Sequence, residues 1–292
     1  MTPSDAAWLD AQYNNRARVP EAARILERWA ADSVLARAQC DGTLDIPYGD
    51  APLETLDVFR PSRRDASGAP VFVFIHGGYW RALDKRDQSF IAPALVQAGA
   101  LVVVPNYALC PAVRIEHIVL QLTRALAWVW RHAHEHGGDA RRIVVGGHSA
   151  GGHLAAMLLS CRWPQVASDL PADLLRAAIS ISGLFDLEPI RRTPFLAGDL
   201  RLTAASARRL SPALMPAPAG RLAALVGGDE SEEFLRQNRL IRAAWGAAAV
   251  PVCEVIPDAN HFTVLHALAD ARSRLHGLVL DWLGIGAVNS SH

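Results

Sequence analysis

The fold of this chain is decided by the stretch Ile143-Val-Val-Gly-Gly-His-Ser-Ala-Gly-Gly-His153. Its first residues, apolar or glycine, are typical of a strand buried in a parallel sheet. The apolar run Leu154-Ala-Ala-Met-Leu-Leu159 that follows predicts a helix. Between the two, Gly147-His-Ser-Ala-Gly151 fits the pattern G-x-S-x-G. A serine at so sharp a turn has a strained backbone, so the residues two positions away from it must lack side chains.

A strand, a tight turn around a serine and a helix together form a nucleophile elbow, which predicts Ser149 as a nucleophile. The helix begins at the next residue, so the N–H group of Ala150 and the positive end of the helix dipole face a developing oxyanion. A turn rich in glycine and serine but without chemistry would show the same pattern. Whether Ser149 is a nucleophile or part of a turn without chemistry depends on whether the chain also has an oxyanion hole, an acid and a histidine.

A second glycine turn comes directly after a β-rich run. Val71-Phe-Val-Phe-Ile75 predicts a buried strand, and His76-Gly-Gly-Tyr-Trp80 follows it at once. At this position the N–H groups of Gly77 and Gly78 would complete an oxyanion hole. Tyr79 and Trp80 are expected, together with Phe262, to line an apolar or aromatic pocket. Packing of Trp80 against the sheet is an equally good interpretation.

Two carboxylates compete for the place of a catalytic acid. Asp229 and Glu230 follow the predicted strand Arg221–Val226, and either could instead cap the helix that comes next. His261 lies in a loop after the last predicted strand, Val252–Ile256. The order nucleophile, acid, histidine is that of α/β-hydrolases. All these groups fall at the carboxyl ends of strands, and this agreement is stronger evidence than any single motif.

The remaining pattern predicts an α/β-hydrolase fold, a mostly parallel sheet flanked by helices, in one domain over residues 1–292. An N-terminal segment over about residues 5–38 should be helical, chiefly from Pro20 to Arg37, after a polar, turn-rich stretch at 10–16. Residues 183–218 are expected to form a small helical insert over the active site, which would add Phe195 and Leu196 to the pocket wall, with Leu184 as a further candidate. A surface excursion away from the site would fit this insert nearly as well.

Composition narrows the range of partners. The chain has 292 residues, of which 51% are hydrophobic, and its 29 basic and 29 acidic residues balance. This balance gives no net field for nucleic acid or an anionic membrane, so a small-molecule partner is expected. The four cysteines lack metal-ligand spacing, and His132 and His136 are better explained as solvated histidines at a helix end, so neither a metal nor a cofactor is predicted.

The N-terminal residues and the lengths of the apolar stretches indicate where in the cell the protein is expected. Met1–Trp8 has neither a basic start nor an apolar run, which argues against a secretory signal. No apolar stretch reaches the length needed to span a membrane. A cytoplasmic protein is therefore expected.

Taken together, the motifs resemble the arylformamidase (kynurenine formamidase) branch of the serine α/β-hydrolases. The resemblance covers nearly the whole chain and rests on five stretches: Tyr13–Pro20, His76–Trp80, Gly147–His153, Ser182–Pro189 and Glu230–Phe234. Tyr79 stands where many related esterases have a third glycine, as is usual in this branch. The family's acid falls in a segment similar to Asp-Ser-Pro-Glu-Phe, and this register selects Glu230 although the family has Asp there.

The resemblance implies hydrolysis of an aryl formamide such as N-formylkynurenine, although relatives in this branch cleave other aryl amides or simple esters. The expected mechanism is a metal-free acyl transfer in which Ser149 attacks, His261 moves the proton and Glu230 orients the imidazole. Three alternatives remain: a general short-chain carboxylesterase with the same triad, a non-catalytic binding protein on this fold, and a metal-dependent amidohydrolase. A homodimer is also left open.

Overall fold

A computed structural model describes residues 5–62 and 68–286 of the chain. Residues 1–4, on which the argument about a secretory signal partly depends, lie outside the described residues. Among the described residues, no helix is both long enough and apolar enough to cross a bilayer.

One eight-stranded sheet forms the centre of the structure. Its strands are β1 (Gly42–Pro47), β2 (Thr55–Phe59), β3 (Ala69–Ile75), β4 (Leu101–Pro105), β5 (Gly138–His148), β6 (Ala177–Ile181), β7 (Arg221–Gly227) and β8 (Val252–Ile256). Their order across the sheet is β1-β2-β4-β3-β5-β6-β7-β8. The pairs β1/β2 and β2/β4 are antiparallel and the other neighbours are parallel. This is the mostly parallel sheet of the α/β-hydrolase fold, which confirms the predicted fold class.

Helices cover both faces of the sheet. In chain order they are α1 (Ala6–Tyr13), α2 (Asn15–Arg18), α3 (Ala22–Gln39), α4 (Ala92–Ala98), α5 (Ile115–His132), α6 (Ala150–Leu159), α7 (Trp163–Val166), α8 (Glu188–Arg191), α9 (Pro194–Leu200), α10 (Ala204–Arg209), α11 (Glu232–Ala249), α12 (His266–Ala269) and α13 (Arg274–Leu283). Short 3₁₀ turns connect several of them. Helices α3, α4 and α13 share one apolar cluster, whereas α5, α6 and α11 share the other.

The continuous apolar runs of the central strands follow from this double cover. In β3, Val71, Val73 and Ile75 belong to one cluster, and Phe72 and Phe74 belong to the other. Alternate side chains of a strand point to opposite faces, so a strand covered on both sides must be apolar at every position. The periodicity of such strands therefore predicts burial but not which face a side chain occupies.

The stretch predicted to be turn-rich, residues 10–16, is helical instead. Asp5 caps α1 by accepting a hydrogen bond from the N–H of Ala7 at 3.1 Å, and α1 buries Leu9 and Tyr13. Asn14 then ends α1 and caps α2. Asparagine and aspartate favour both helix caps and turns, so their presence in this stretch does not distinguish the two.

The elbow glycine provides a test of the fold. A Cβ at Gly151 would overlap the backbone carbonyl of Ile75, so Gly151→Ala must push α6 away from β3. We expect urea unfolding to show a loss of about 1–3 kcal/mol of stability, as is typical of overpacking. The matched control is Gly277→Ala in α13, where an added Cβ meets nothing within 4 Å; it should gain about 0.5–1 kcal/mol. Equal unfolding midpoints for the two variants would contradict this account of the elbow.

Candidate active site

Ser149 occupies the turn between β5 and α6. Its backbone dihedrals are φ 56° and ψ −118°, a conformation that side-chain-bearing residues rarely adopt. Its N–H donates to the carbonyl of Ile181 at 2.8 Å, which fixes the turn to the neighbouring strand. A Cβ on Gly147 would overlap the carbonyl of Gly151, and one on Gly151 would overlap that of Ile75. Close packing therefore requires both glycines around the serine.

The turn after β3 passes beside Ser149. A Cβ built on Gly77 would lie 3.2 Å from the Cβ of Ser149. Three consecutive residues then have positive φ: Gly78 at 101°, Tyr79 at 51° and Trp80 at 56°. Only glycine adopts such φ values without strain. The turn therefore has a strained backbone conformation directly beside the serine.

Of the two candidate acids, only Glu230 reaches His261. Its Oε2 lies 2.6 Å from the Nδ1 of His261, and the two side chains are 0% and 6% exposed. The other carboxylate oxygen, Oε1, accepts hydrogen bonds from the N–H of Gly227 at 2.9 Å and from the hydroxyl of Ser182. Asp229, in contrast, is exposed.

Ser182 is part of the site although the sequence argument did not single it out. It follows β6, is 1% exposed and has φ 52°. Its hydroxyl donates to Oε1 of Glu230 because an ionised carboxylate can only accept. Its position in the sheet could have indicated this role. Ser182 lies at the carboxyl end of β6, the strand between β5, which carries Ser149, and β7, which carries Glu230.

His148, the variable residue inside G-x-S-x-G, was also not singled out. Its Nε2 lies 2.8 Å from the backbone oxygen of His261. A carbonyl oxygen only accepts, so Nε2 of His148 carries the hydrogen. Burial, and then the neighbouring His261, hold the pKa of the His148 imidazole well below its usual range, so it is neutral at pH 7. The elbow thereby holds the loop that carries His261.

Ser149 and His261 both line a cavity of about 460 Å³. Its wall combines residues from five parts of the chain: Asn14, Asn15, Arg16, Leu26, Trp29, Gly78, Tyr79, Arg81, Ala82, Leu83, His148, Ser149, Phe195, Asp199, His261 and Phe262. Pockets of this size with mostly apolar walls and a few polar groups are typical of small-molecule sites.

Two of the three predicted pocket residues, Tyr79 and Phe262, line this cavity. Trp80 does not, since it is fully buried and packs edge-to-face on His153 with ring centroids 5.0 Å apart. The predicted pocket role of Trp80 is therefore not supported by its position. Of these two adjacent residues, only Tyr79 lines the cavity.

The region predicted as an insert contains α8, α9 and α10, and it reaches the cavity through Phe195 and Asp199. Arg81 anchors it to the glycine turn, because its guanidinium forms an ion pair with Asp199, donates to the carbonyl of Phe195 at 3.0 Å and stacks on the Phe195 ring at 5.4 Å. Leu184 and Leu196 are fully buried and do not line the cavity, contrary to expectation.

The N-terminal segment contributes five residues to the cavity wall, which the sequence argument did not predict. They are Asn14, Asn15, Arg16, Leu26 and Trp29. The hydroxyl of Tyr79 donates to the backbone oxygen of Tyr13 at 2.7 Å, which ties this segment to the glycine turn. No local sequence pattern predicts this long-range contact. Only the family resemblance, which includes Tyr13–Pro20, indicates that this segment is important.

The described part of the chain holds no group of three or more His, Cys, Asp or Glu side chains arranged for a metal ion. His132 pairs with Glu135 at 2.9 Å, and His136 lies 3.2 Å from the guanidinium of Arg60. The buried pair of Glu230 and His261 places the imidazole in the wall of the cavity that Ser149 also lines.

Comparisons with known proteins agree with this geometry. A family model described as BD-FAE matches residues 56–166. The kynurenine formamidase of Danio rerio is 33% identical over 85% of this chain and 84% of its own length. Esterase LipC of Mycobacterium tuberculosis is 34% identical over 50% of this chain and 38% of its own length. The crystal structure of a protein from Silicibacter sp. TM1040, provisionally named a thioesterase, superimposes with a TM-score of 0.80 at 34% identity, covering 93% of this chain and 98% of that one.

These relatives support a hydrolase that acts on amide or ester bonds. The identity to the Danio rerio protein extends over most of both chains. The chain therefore belongs to the kynurenine formamidase family of α/β-hydrolases.

Proposed function

We propose that this protein is a serine hydrolase that removes the formyl group from an aryl formamide. The observation that carries the proposal is the 2.6 Å contact between Glu230 and Nδ1 of His261, whose side chain lines the same cavity as Ser149. A buried carboxylate on Nδ1 holds the imidazole with its Nε2 unprotonated, which is the form that accepts a proton from a serine hydroxyl. The kinship with a kynurenine formamidase supports the formamide as substrate.

In the first step, the hydroxyl oxygen of Ser149 attacks the formyl carbon while its proton passes to Nε2 of His261. The carbonyl oxygen becomes an oxyanion, which the N–H groups of Gly77, Gly78 and Ala150 are proposed to receive. Each such donor typically lowers the barrier by about 2.7–4 kcal/mol. The carboxylate of Glu230 stabilises the imidazolium without taking its proton.

In the second step, the C–N bond breaks as Nε2 of His261 returns the proton to the leaving nitrogen. An arylamine anion is a poor leaving group, so this protonation is needed for the bond to break. The amine departs and leaves a formyl ester on Ser149. Water then attacks this ester with His261 again acting as the base, and formate and the free serine are released.

Ser182 and His148 are proposed to position this machinery without touching the substrate. The hydroxyl of Ser182 and the N–H of Gly227 hold Oε1 of Glu230, so that Oε2 stays directed at His261. His148 holds the backbone oxygen of His261 from the other side. Preorganised contacts of this kind keep catalytic groups within a fraction of an ångström of their working positions.

A second candidate is a short-chain carboxylesterase with the same triad. It is favoured by the 34% identity to the Silicibacter protein, whose provisional name is thioesterase, and by the same identity to esterase LipC over half the chain. Esters and formamides share the acyl-enzyme route, and esters have the better leaving group. Only comparative rates on both bond types separate the candidates.

Replacing the nucleophile tests the mechanism. We expect Ser149→Ala to lower kcat by about 10⁴–10⁶-fold on N-formylkynurenine, N-formylanthranilate and p-nitrophenyl acetate, because removal of the nucleophile disables the triad as a unit. The matched control is Ser160→Ala at the end of α6, which should keep wild-type rates. A formamide kcat/KM above that for the ester in the wild type would favour the formamidase. Undiminished turnover by Ser149→Ala would exclude the serine mechanism.

The acid is tested by two isosteric changes in adjacent residues. Glu230→Gln should lower kcat by about 10³–10⁴-fold, because the neutral amide no longer selects the required tautomer of His261. Asp229→Asn should remain within about threefold of the wild type, because exposed charges contribute little. Thermal unfolding of both variants controls for misfolding. Collapse of activity only in Asp229→Asn would show that the acid is the other carboxylate.

A further inference from the structure

The cavity wall contains two arginines in different electrostatic settings. The guanidinium of Arg81 is paired with Asp199 and the carbonyl of Phe195. Arg16 also lines the cavity, is exposed, and has no carboxylate within 4.0 Å in the part of the chain that the structure describes. Since an arginine stays protonated at any physiological pH, Arg16 places a positive charge at the cavity rim that no described carboxylate pairs with.

The backbone that carries Arg16 is fixed. Asn14 caps α2 by accepting a hydrogen bond from Ala17 at 3.2 Å. Asn15 is buried, and its amide lies 3.4 Å from the hydroxyl of Tyr79. The hydroxyl of Tyr79 is bound in turn to the backbone oxygen of Tyr13 at 2.7 Å. Arg16 therefore projects from a segment that is held against the glycine turn, so its charge has a defined place in the wall of the cavity that Ser149 and His261 also line.

The remaining wall leaves no competing negative charge for Arg16. Asp199 is the only carboxylate among the lining residues, and Arg81 occupies it. Glu230 lies behind His261, with which it is hydrogen-bonded, and does not line the cavity. His148 is neutral at pH 7, because burial lowers its pKa. Among the described residues that line the cavity, Arg16 is therefore the cation without a carboxylate partner, and the aromatic side chains form much of the remaining wall.

That surface fits an aromatic ring. Trp29, Tyr79, Phe195 and Phe262 supply four aromatic side chains from four separate elements. Aromatic walls with a single charged group at the edge are suited to a flat ring that carries one group of opposite charge. Because a formyl group has no further carbon to carry a charge, that group must belong to the amine half of the substrate.

We propose that Arg16 binds a carboxylate on the arylamine half of the substrate, and so selects anionic aryl formamides over neutral ones. The inference rests on the proposed deformylation and adds a specificity residue to it. The guanidinium offers a planar pair of donors that matches a carboxylate. The carboxylate contact is the same in the bound substrate and in the transition state. Its loss should therefore raise KM and leave kcat unchanged.

A pair of substrates that differ only in charge tests the proposal. The anionic member is 4-(2-formamidophenyl)-4-oxobutanoate, and the neutral member is its primary amide. In the wild type at low salt we expect kcat/KM to favour the acid about tenfold. Because Arg16 is exposed, this preference should shrink about threefold or more between 20 and 500 mM NaCl.

Three variants assign the effect to Arg16. Arg16→Gln should raise KM for the acid about tenfold, with kcat within twofold and the amide unaffected. Arg16→Lys should restore part of the preference, since the charge returns without the paired donors. The matched control is Arg18→Gln, an exposed arginine of the same short helix that does not line the cavity; it should behave as the wild type. Equal changes for acid and amide in Arg16→Gln, or no change for either, would overturn the proposal.

Binding measured without turnover separates this proposal from the proposed reaction. Calorimetric titration of the Ser149→Ala protein with both compounds should show tighter binding of the acid, and adding Arg16→Gln should abolish the difference. If the wild type cleaves only esters but this binding difference is present, the formamidase proposal fails and the role of Arg16 stands. If formamides are cleaved but acid and amide bind equally, the role of Arg16 fails alone.

Discussion

The constraint on which the site depends is the sharp turn at Ser149, where a residue with a side chain is held at positive φ. The turn exists because Gly151 packs directly beneath the carbonyl of Ile75, with no room for a Cβ. This contact joins α6 to β3 and brings the two central loops together. The other site residues extend from strand ends on either side of β5, so their positions follow from this packing.

Glu230 shows how a buried charge is accommodated in this fold. A carboxylate with no exposed surface costs much free energy unless its oxygens are satisfied. Here both are: one by His261, the other by Ser182 and the N–H of Gly227. The same contacts that make its burial tolerable also fix its direction, so stability and orientation are provided by one set of hydrogen bonds.

Sequence patterns predicted the strands, their parallel arrangement and the loops that carry Ser149 and His261, because periodicity and glycine sterics are local properties. They did not decide whether Asp229 or Glu230 is the catalytic acid. The two residues are adjacent, and which carboxylate points toward His261 depends on the local backbone conformation. They assigned Trp80 to the pocket, although the backbone of the turn buries it. They missed Ser182, His148 and the residues of α2, whose roles arise from contacts between distant segments and leave no local signature.

The contact between α1 and α11 has a consequence for biosynthesis. The hydroxyl of Tyr13 donates to Glu233 at 2.6 Å across 220 positions of sequence. At about 5–20 residues per second, α1 waits roughly 10–45 s on the ribosome before α11 emerges. During that interval Tyr13 lacks Glu233 and Phe234, which it contacts in the folded structure, and the cavity still lacks His261 and Phe262. The first helix to be made is therefore among the last to dock, and nascent chains that already carry the elbow still lack a complete cavity.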